Sequence, residues 1–197
     1  MAHRERTDVT DHPISRYPVP DIADLPEDLR DRVLAVQEKT GFVPNVFLAL
    51  AHRPNEMRAF LAYHDALMEK EGGLSKADRE LVVVATSAEN DCQYCVVAHG
   101  AILRIRARDP FLADQVAINY RKADITQRQR AMLDFAVKVT VDSRSIDDAD
   151  FATLRTHGFD DEDIWDIAGI ASVFGLSNRM ANFLSMRPND EFFGMGR

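Results

Sequence analysis

Glu89 to Gly100 (ENDCQYCVVAHG) holds three side chains whose types and spacing suit chemistry: Cys92, Cys95 and His99. If Cys92 opens a helix, each residue turns by about 100°, which sets Cys95 roughly 60° and His99 roughly 20° away from it on one stripe. Cys92 and Cys95 are then neighbours at i and i+3, and His99 reaches Cys95 at i and i+4. The first turn of a helix carries unpaired N–H groups and the positive end of the macrodipole, so a thiol there ionises more readily. His99, as a base or as an imidazolium partner, pushes the same way. A low-pKa thiol beside a second thiol is the arrangement of a thiol peroxidase or a disulfide reductase. One thiolate attacks, a sulfenic acid or mixed disulfide forms, and the second thiol resolves it.

Glu80 precedes Cys92 by twelve positions, with the apolar run Leu81 to Ala85 between them. A carboxylate beside so apolar a face needs a partner, or its pKa rises; next to a cysteine pair it becomes a candidate general base. Other readings of the same residues stay open. The two cysteines can be small buried hydrophobes. With Glu80 and His99 they also make a four-member zinc set, although three ligands on one stripe crowd a tetrahedral site. Glu80 can instead pair with Arg79 or Lys76. Ser87 lies two turns beyond Glu80 and can donate near the cysteines. His64, with Phe60 and Tyr63, reads as core or as a pocket wall. Asn178 and Asn182, flanking Arg179, read as helix bridges or substrate ligands. Trp165, Phe174 and Phe183 read as core at helical spacing.

The elements that must position these groups are helices, since no strand alternation persists along the chain. Pro26 opens a helix through about Lys39, closed at Thr40–Gly41. Pro44 opens a short one, and Pro54 another that ends at Gly72–Gly73. Ser75 with Asp78, and Thr126 with Gln129, resemble capping boxes. A helix begins near Cys92 and runs to about Arg108, and Asp109–Pro110 restarts the chain. Asp147 or Asp148 begins a short helix. Asp160 begins a final one with an acidic first turn, stopped by Pro188. Residues 1–26 are proline-rich and aperiodic, and read as an extended arm that contacts another subunit. Residues 27–197 form a single all-α domain.

Composition bounds the rest. The 197 residues suffice for a core without staples, and 46% hydrophobic with 28% charged residues is the balance of an ordinary globular chain. The formal net charge of −8, with no basic block, argues against nucleic acid or an anionic membrane. Arg104, Arg106 and Arg108 read as the solvated end of a helix. No apolar run approaches the ~20 residues of a membrane span, and MAHRERTDVTDHP has no secretory apolar region. Two cysteines make no disulfide framework, and a reducing cytoplasm is the expected compartment.

Glu80, Cys92, Cys95 and His99 match the pattern E-x11-C-x2-C-x3-H. With GFVPNVFLALAHRP and NFLSMRPNDEFF, the chain resembles the alkylhydroperoxidase D and carboxymuconolactone decarboxylase superfamily, in its peroxidase-related branch. The resemblance implies an alkylhydroperoxidase D-like helical bundle acting as a homo-oligomer. It also implies reduction of small hydroperoxides by a CxxC pair cycling through a disulfide, without a bound cofactor or metal. Cys95 would be the attacked thiol, Cys92 the more exposed resolving one, and His99 and Glu80 the proton carriers. An external dithiol of lipoyl-protein type would return the electrons. The alternatives within the resemblance are a decarboxylase of carboxylated lactones and a non-enzymatic redox sensor. The match departs at Tyr94, where the alkylhydroperoxidase D proteins carry a histidine. With a pKa near 10, tyrosine relays protons poorly at neutral pH, which leaves Glu80, water and His99.

Overall fold

In the computed structural model, which describes residues 13–197, the chain forms ten α-helices and no strands among the described residues. They are α1 (Glu27–Thr40), α2 (Asn45–Leu50), α3 (Pro54–Met68), α4 (Lys76–Glu89), α5 (Gln93–Ala107), α6 (Leu112–Asn119), α7 (Gln127–Asp142), α8 (Asp148–Thr156), α9 (Asp161–Leu184) and α10 (Glu191–Gly194). The all-α expectation is met. None of these helices is long and apolar enough to cross a membrane.

α4 is the central element. Every residue from Asp78 to Ser87 is buried, because α5, α6, α7 and α9 surround the helix. A helix buried on all sides needs an apolar middle, and Leu81 to Ala85 supply it. Its start is set locally. The Ser75 hydroxyl accepts from the Asp78 N–H, and the Asp78 carboxylate accepts from the Ser75 N–H, so aspartate completes a box that more often uses Glu or Gln. Thr126–Gln129, Asp147–Asp150 and Asp160–Asp163 open α7, α8 and α9 in the same way. Gly41, in a left-handed conformation at φ 85°, closes α1 as its sequence position predicts.

Two readings from the sequence change. Arg104 is not part of a solvated tract. It is buried, and its guanidinium donates to the carbonyls of Met195 (2.8 Å) and Phe192 (2.8 Å), holding α10 against α5. Arg106 and Arg108 do stay exposed. Trp165 and Phe183 are not core: Trp165 is 72% exposed and Phe183 more than half exposed, while Phe174 is buried. At 100° per residue, Trp165 and Phe183 share one face of α9 and Phe174 lies on the opposite one, so only Phe174 meets the core.

The arm divides. Residues 1–12 lie outside the described residues, and with them that part of the reading. From Pro13 onward the chain lies along its own domain: the Arg16 N–H donates to the Leu184 carbonyl (2.8 Å) and the Arg187 N–H to the Ile14 carbonyl (3.3 Å). Ile22 and Leu25 pack into the cluster of Leu29, Val33, Met57 and Leu61.

Behind the core, fully buried Arg79 pairs with Asp166 (3.1 Å) and donates to the Leu67 carbonyl (2.7 Å), while Lys70 reaches the other Asp166 oxygen (2.9 Å). Removing one partner strands a charge inside the protein. Asp166→Ala is therefore expected to cost about 3–5 kcal/mol, read as a lower denaturant midpoint with unchanged cooperativity.

Candidate active site

The corner between α4 and α5 builds the site. α4 ends at Asn90, and Asp91 turns the chain in a left-handed conformation at φ 48°, which Asp tolerates better than most residues. The Cys92 N–H then donates back to the Ser87 carbonyl (3.0 Å). Cys92 is the N-cap of α5, not its first helical residue, and its sulfur accepts from the Cys95 N–H at 3.5 Å. Sulfur stands where Ser, Thr, Asp or Asn usually satisfies an unpaired first-turn donor. Both cysteines are free thiols. Cys92 is 0% and Cys95 2% exposed, so the expectation of a more exposed Cys92 is not met; α9 and the C-terminal segment cover both.

Ionisation of the pair is unequal. Chiefly because the Cys95 thiol donates to it, the Cys92 thiol is lowered to about 7; the Cys95 N–H, Asn178 and His99 add to this, against burial. Cys95 moves the other way, well above an ordinary thiol, because its proton is held in that bond to Cys92 and because it is buried; Asn178 and Ser177 partly offset this. Ionisation is thus favoured at Cys92 and disfavoured at Cys95.

Glu80 and His99 do meet. His99 Nδ1 lies 2.9 Å from Glu80 Oε2, both side chains being largely buried. A carboxylate oxygen accepts, so the bond places a ring proton on Nδ1 and leaves Nε2 for another partner. Arg79 is not the partner of Glu80, since successive residues of α4 face different ways and Arg79 turns to Asp166. Phe174 packs edge-on against His99, with ring centroids 4.7 Å apart at 84°.

α9 supplies the other wall. Ser177 Oγ lies 3.8 Å from Cys95 Sγ. Asn178 is fully buried; its amide donates to Ser87 Oγ (2.9 Å) and accepts from the Asn90 amide (3.0 Å). Asn182 donates to the Asn90 carbonyl (3.0 Å). The two asparagines of α9 therefore bridge to the end of α4, and Ser87 is an acceptor in that bridge. Sequence reading missed Ser177 and Asn90. Neither carries a local signal, because their roles arise only when α9 crosses the α4–α5 corner.

Tyr94 turns its hydroxyl toward α2. Its hydroxyl accepts from the Val46 N–H (3.0 Å), and burial pushes its pKa up. Pro44 cannot cap α2 with a side chain, so the first-turn donors find acceptors elsewhere: Tyr94 for Val46, and Asn189 Oδ1 for Asn45 (2.8 Å). No three His, Cys, Asp or Glu side chains among the described residues converge in a way that would hold a metal ion.

The carboxymuconolactone decarboxylase family matches residues 54–110, which span α3, α4 and α5. A solved peroxidase-related protein from Ralstonia eutropha JMP134, described as an alkylhydroperoxidase AhpD core and as uncharacterised, is 70% identical; the match covers 94% of this chain and 98% of that one, with a TM-score of 0.94. An uncharacterised peroxidase-related protein from Silicibacter sp. TM1040 is 43% identical over 96% of this chain and 100% of that one, with a TM-score of 0.90. The debrominase Bmp8, solved with 2,3,4-tribromopyrrole, shares the fold at 18% identity, covering 94% and 96% of the two chains with a TM-score of 0.75. No protein of curated function matches the chain.

Two outcomes test the geometry. Thiolate absorbance should titrate with a midpoint near 7 in the reduced protein, and Cys95→Ala should move that midpoint up toward the free-cysteine value of about 8.5. Tyr94→Phe should leave the titration in place but lower stability by about 1–3 kcal/mol, because the Val46 N–H loses its acceptor.

Proposed function

Because the chain belongs to the alkylhydroperoxidase D-like, peroxidase-related branch of the carboxymuconolactone decarboxylase superfamily, we propose that it is a dithiol peroxidase acting through Cys95, Cys92, His99 and Glu80. The observation that carries this reading is the buried cysteine pair at the start of α5, set one helical turn from the Glu80–His99 hydrogen bond.

Cys95 is the attacked thiol. Its proton passes along the bond to Cys92, or to His99, as the hydroperoxide arrives. The Cys95 thiolate then takes the terminal oxygen, the O–O bond breaks, and the alkoxide leaves as an alcohol with a proton from the relay. Cys92 attacks the Cys95 sulfenic acid, the S–S bond forms, and hydroxide leaves as water with a second proton. An external dithiol, of lipoyl type by the resemblance, reduces the disulfide through a mixed disulfide. Ser177, within reach of Cys95 Sγ, steadies that sulfur in its charged form. A homo-oligomer fits the outward apolar residues of α9, Trp165, Leu176 and Phe183, which water leaves unsatisfied.

Stoichiometric organic hydroperoxide should remove two hydrogens from the reduced protein in an intact-mass measurement, and Cys95→Ser should abolish that loss. Cys92→Ser should stop at a sulfenic acid on Cys95, trapped by a dimedone-type reagent. A sulfenic acid found only on Cys92 reverses the order of attack. No disulfide and no peroxide consumption, even with dihydrolipoamide, would sink the peroxidase reading in favour of a lactone decarboxylase or a redox sensor.

A further inference from the structure

The proton count of a buried dithiol leaves one proton to be explained. If the resting pair is one thiolate and one thiol, oxidation reads: thiolate, thiol, hydroperoxide and one proton give disulfide, alcohol and water. Atoms and charge balance only with that incoming proton. The reductive half returns it when the new dithiol relaxes to its singly ionised form. A proton therefore crosses between solvent and the site in each half-cycle, yet both cysteines are closed off from solvent.

We propose that His64 on α3 is the port for that proton, exchanging it between solvent and the Glu80–His99 pair. His64 belongs to no part of the cysteine motif. Its ring lies 6.5 Å, centroid to centroid, from His99, a separation that a single water bridges. Side-chain exposure rises along the line from Glu80 (9%) through His99 (14%) to His64 (26%). On the α9 side the path is closed by Phe174, whose ring packs edge-on to both imidazoles, at 4.7 Å from His99 and 6.0 Å from His64.

The ring is held as a relay needs. His64 Nδ1 lies 3.2 Å from Asp65 Oδ1, and Arg32 on α1 clamps both oxygens of Asp65 (2.9 and 2.7 Å). That fixes the tautomer and leaves Nε2 to exchange protons. The charged and titratable groups facing His64 are Asp65 on its own helix, Arg32 behind Asp65, His99 on α5 and Glu80 on α4. Burial and the neighbouring His99 charge lower its pKa, against Asp65 and Glu80. A histidine biased toward neutrality gives up a proton readily, which suits a carrier more than a store.

This inference rests on the dithiol reading above, and the test separates the two. Oxidation by cumene hydroperoxide consumes a proton; alkylation of the thiolate by iodoacetamide does not. His64→Gln should slow oxidation about 10-fold or more near neutral pH, the lower end of what a positioned proton carrier contributes, and leave alkylation at its wild-type rate. Added imidazole should restore much of the oxidation rate. Equal slowing of both reactions without imidazole rescue means that His64 is structural and overturns the port. A variant oxidised as fast as wild type overturns it too. Wild-type protein that alkylates but is never oxidised by hydroperoxide removes the peroxidase reading and the port with it.

Discussion

A helix that starts in the interior of a protein must satisfy its first N–H groups there, and at the start of α5 a sulfur does so. Cys92 accepts from the Cys95 N–H, and the same sulfur is the one of the pair whose pKa is lowered. One side chain is thus both the cap of a helix and the more acidic half of the cysteine pair. The two roles reinforce each other, because positive dipole and unpaired donors are what a thiolate requires when water is absent. The corner that delivers Cys92 depends in turn on Asp91 accepting a left-handed conformation and on Ser87 lending its carbonyl.

Burying so many polar groups is unfavourable unless each is paired, and the pairing explains much of the surrounding architecture. Asn178, deep in α9, ties Ser87 and Asn90 to the crossing helix and also reaches the thiols. Glu80 and His99 answer each other between α4 and α5. Arg79 and Asp166 do so on the next face of α4. α4 carries members of all these pairs, so its position sets theirs. The apolar run from Leu81 to Ala85 holds that position without directing any single partner.

Much of this was legible in order along the chain. Pro, Gly and the Ser/Thr/Asp caps place helix ends because the energetics of an end are local: a donor, an acceptor three residues away and a permitted φ. The i, i+3, i+4 stripe of Cys92, Cys95 and His99 was legible for the same reason. Arg104, Trp165 and Phe183 were misread, since spacing shows that a residue shares a face but not what that face meets. α10 went unpredicted; it has four residues and is held by Arg104 from another helix.

The sequence by itself determined the helical class, most helix starts and the set of four candidate site residues, because periodicity, caps and spacing act within one or two turns. Only the tertiary structure decided who partners whom. Glu80 meets His99 rather than Arg79, Tyr94 serves the backbone of α2 rather than a proton relay, and His64 stands behind His99. It also decided that hydrogen bonding lowers the pKa of Cys92, and that hydrogen bonding and burial raise that of Cys95. The physical reason is common to all four. Pairing and burial depend on which helices cross and at what rotation, and that is set by packing among segments far apart in the chain.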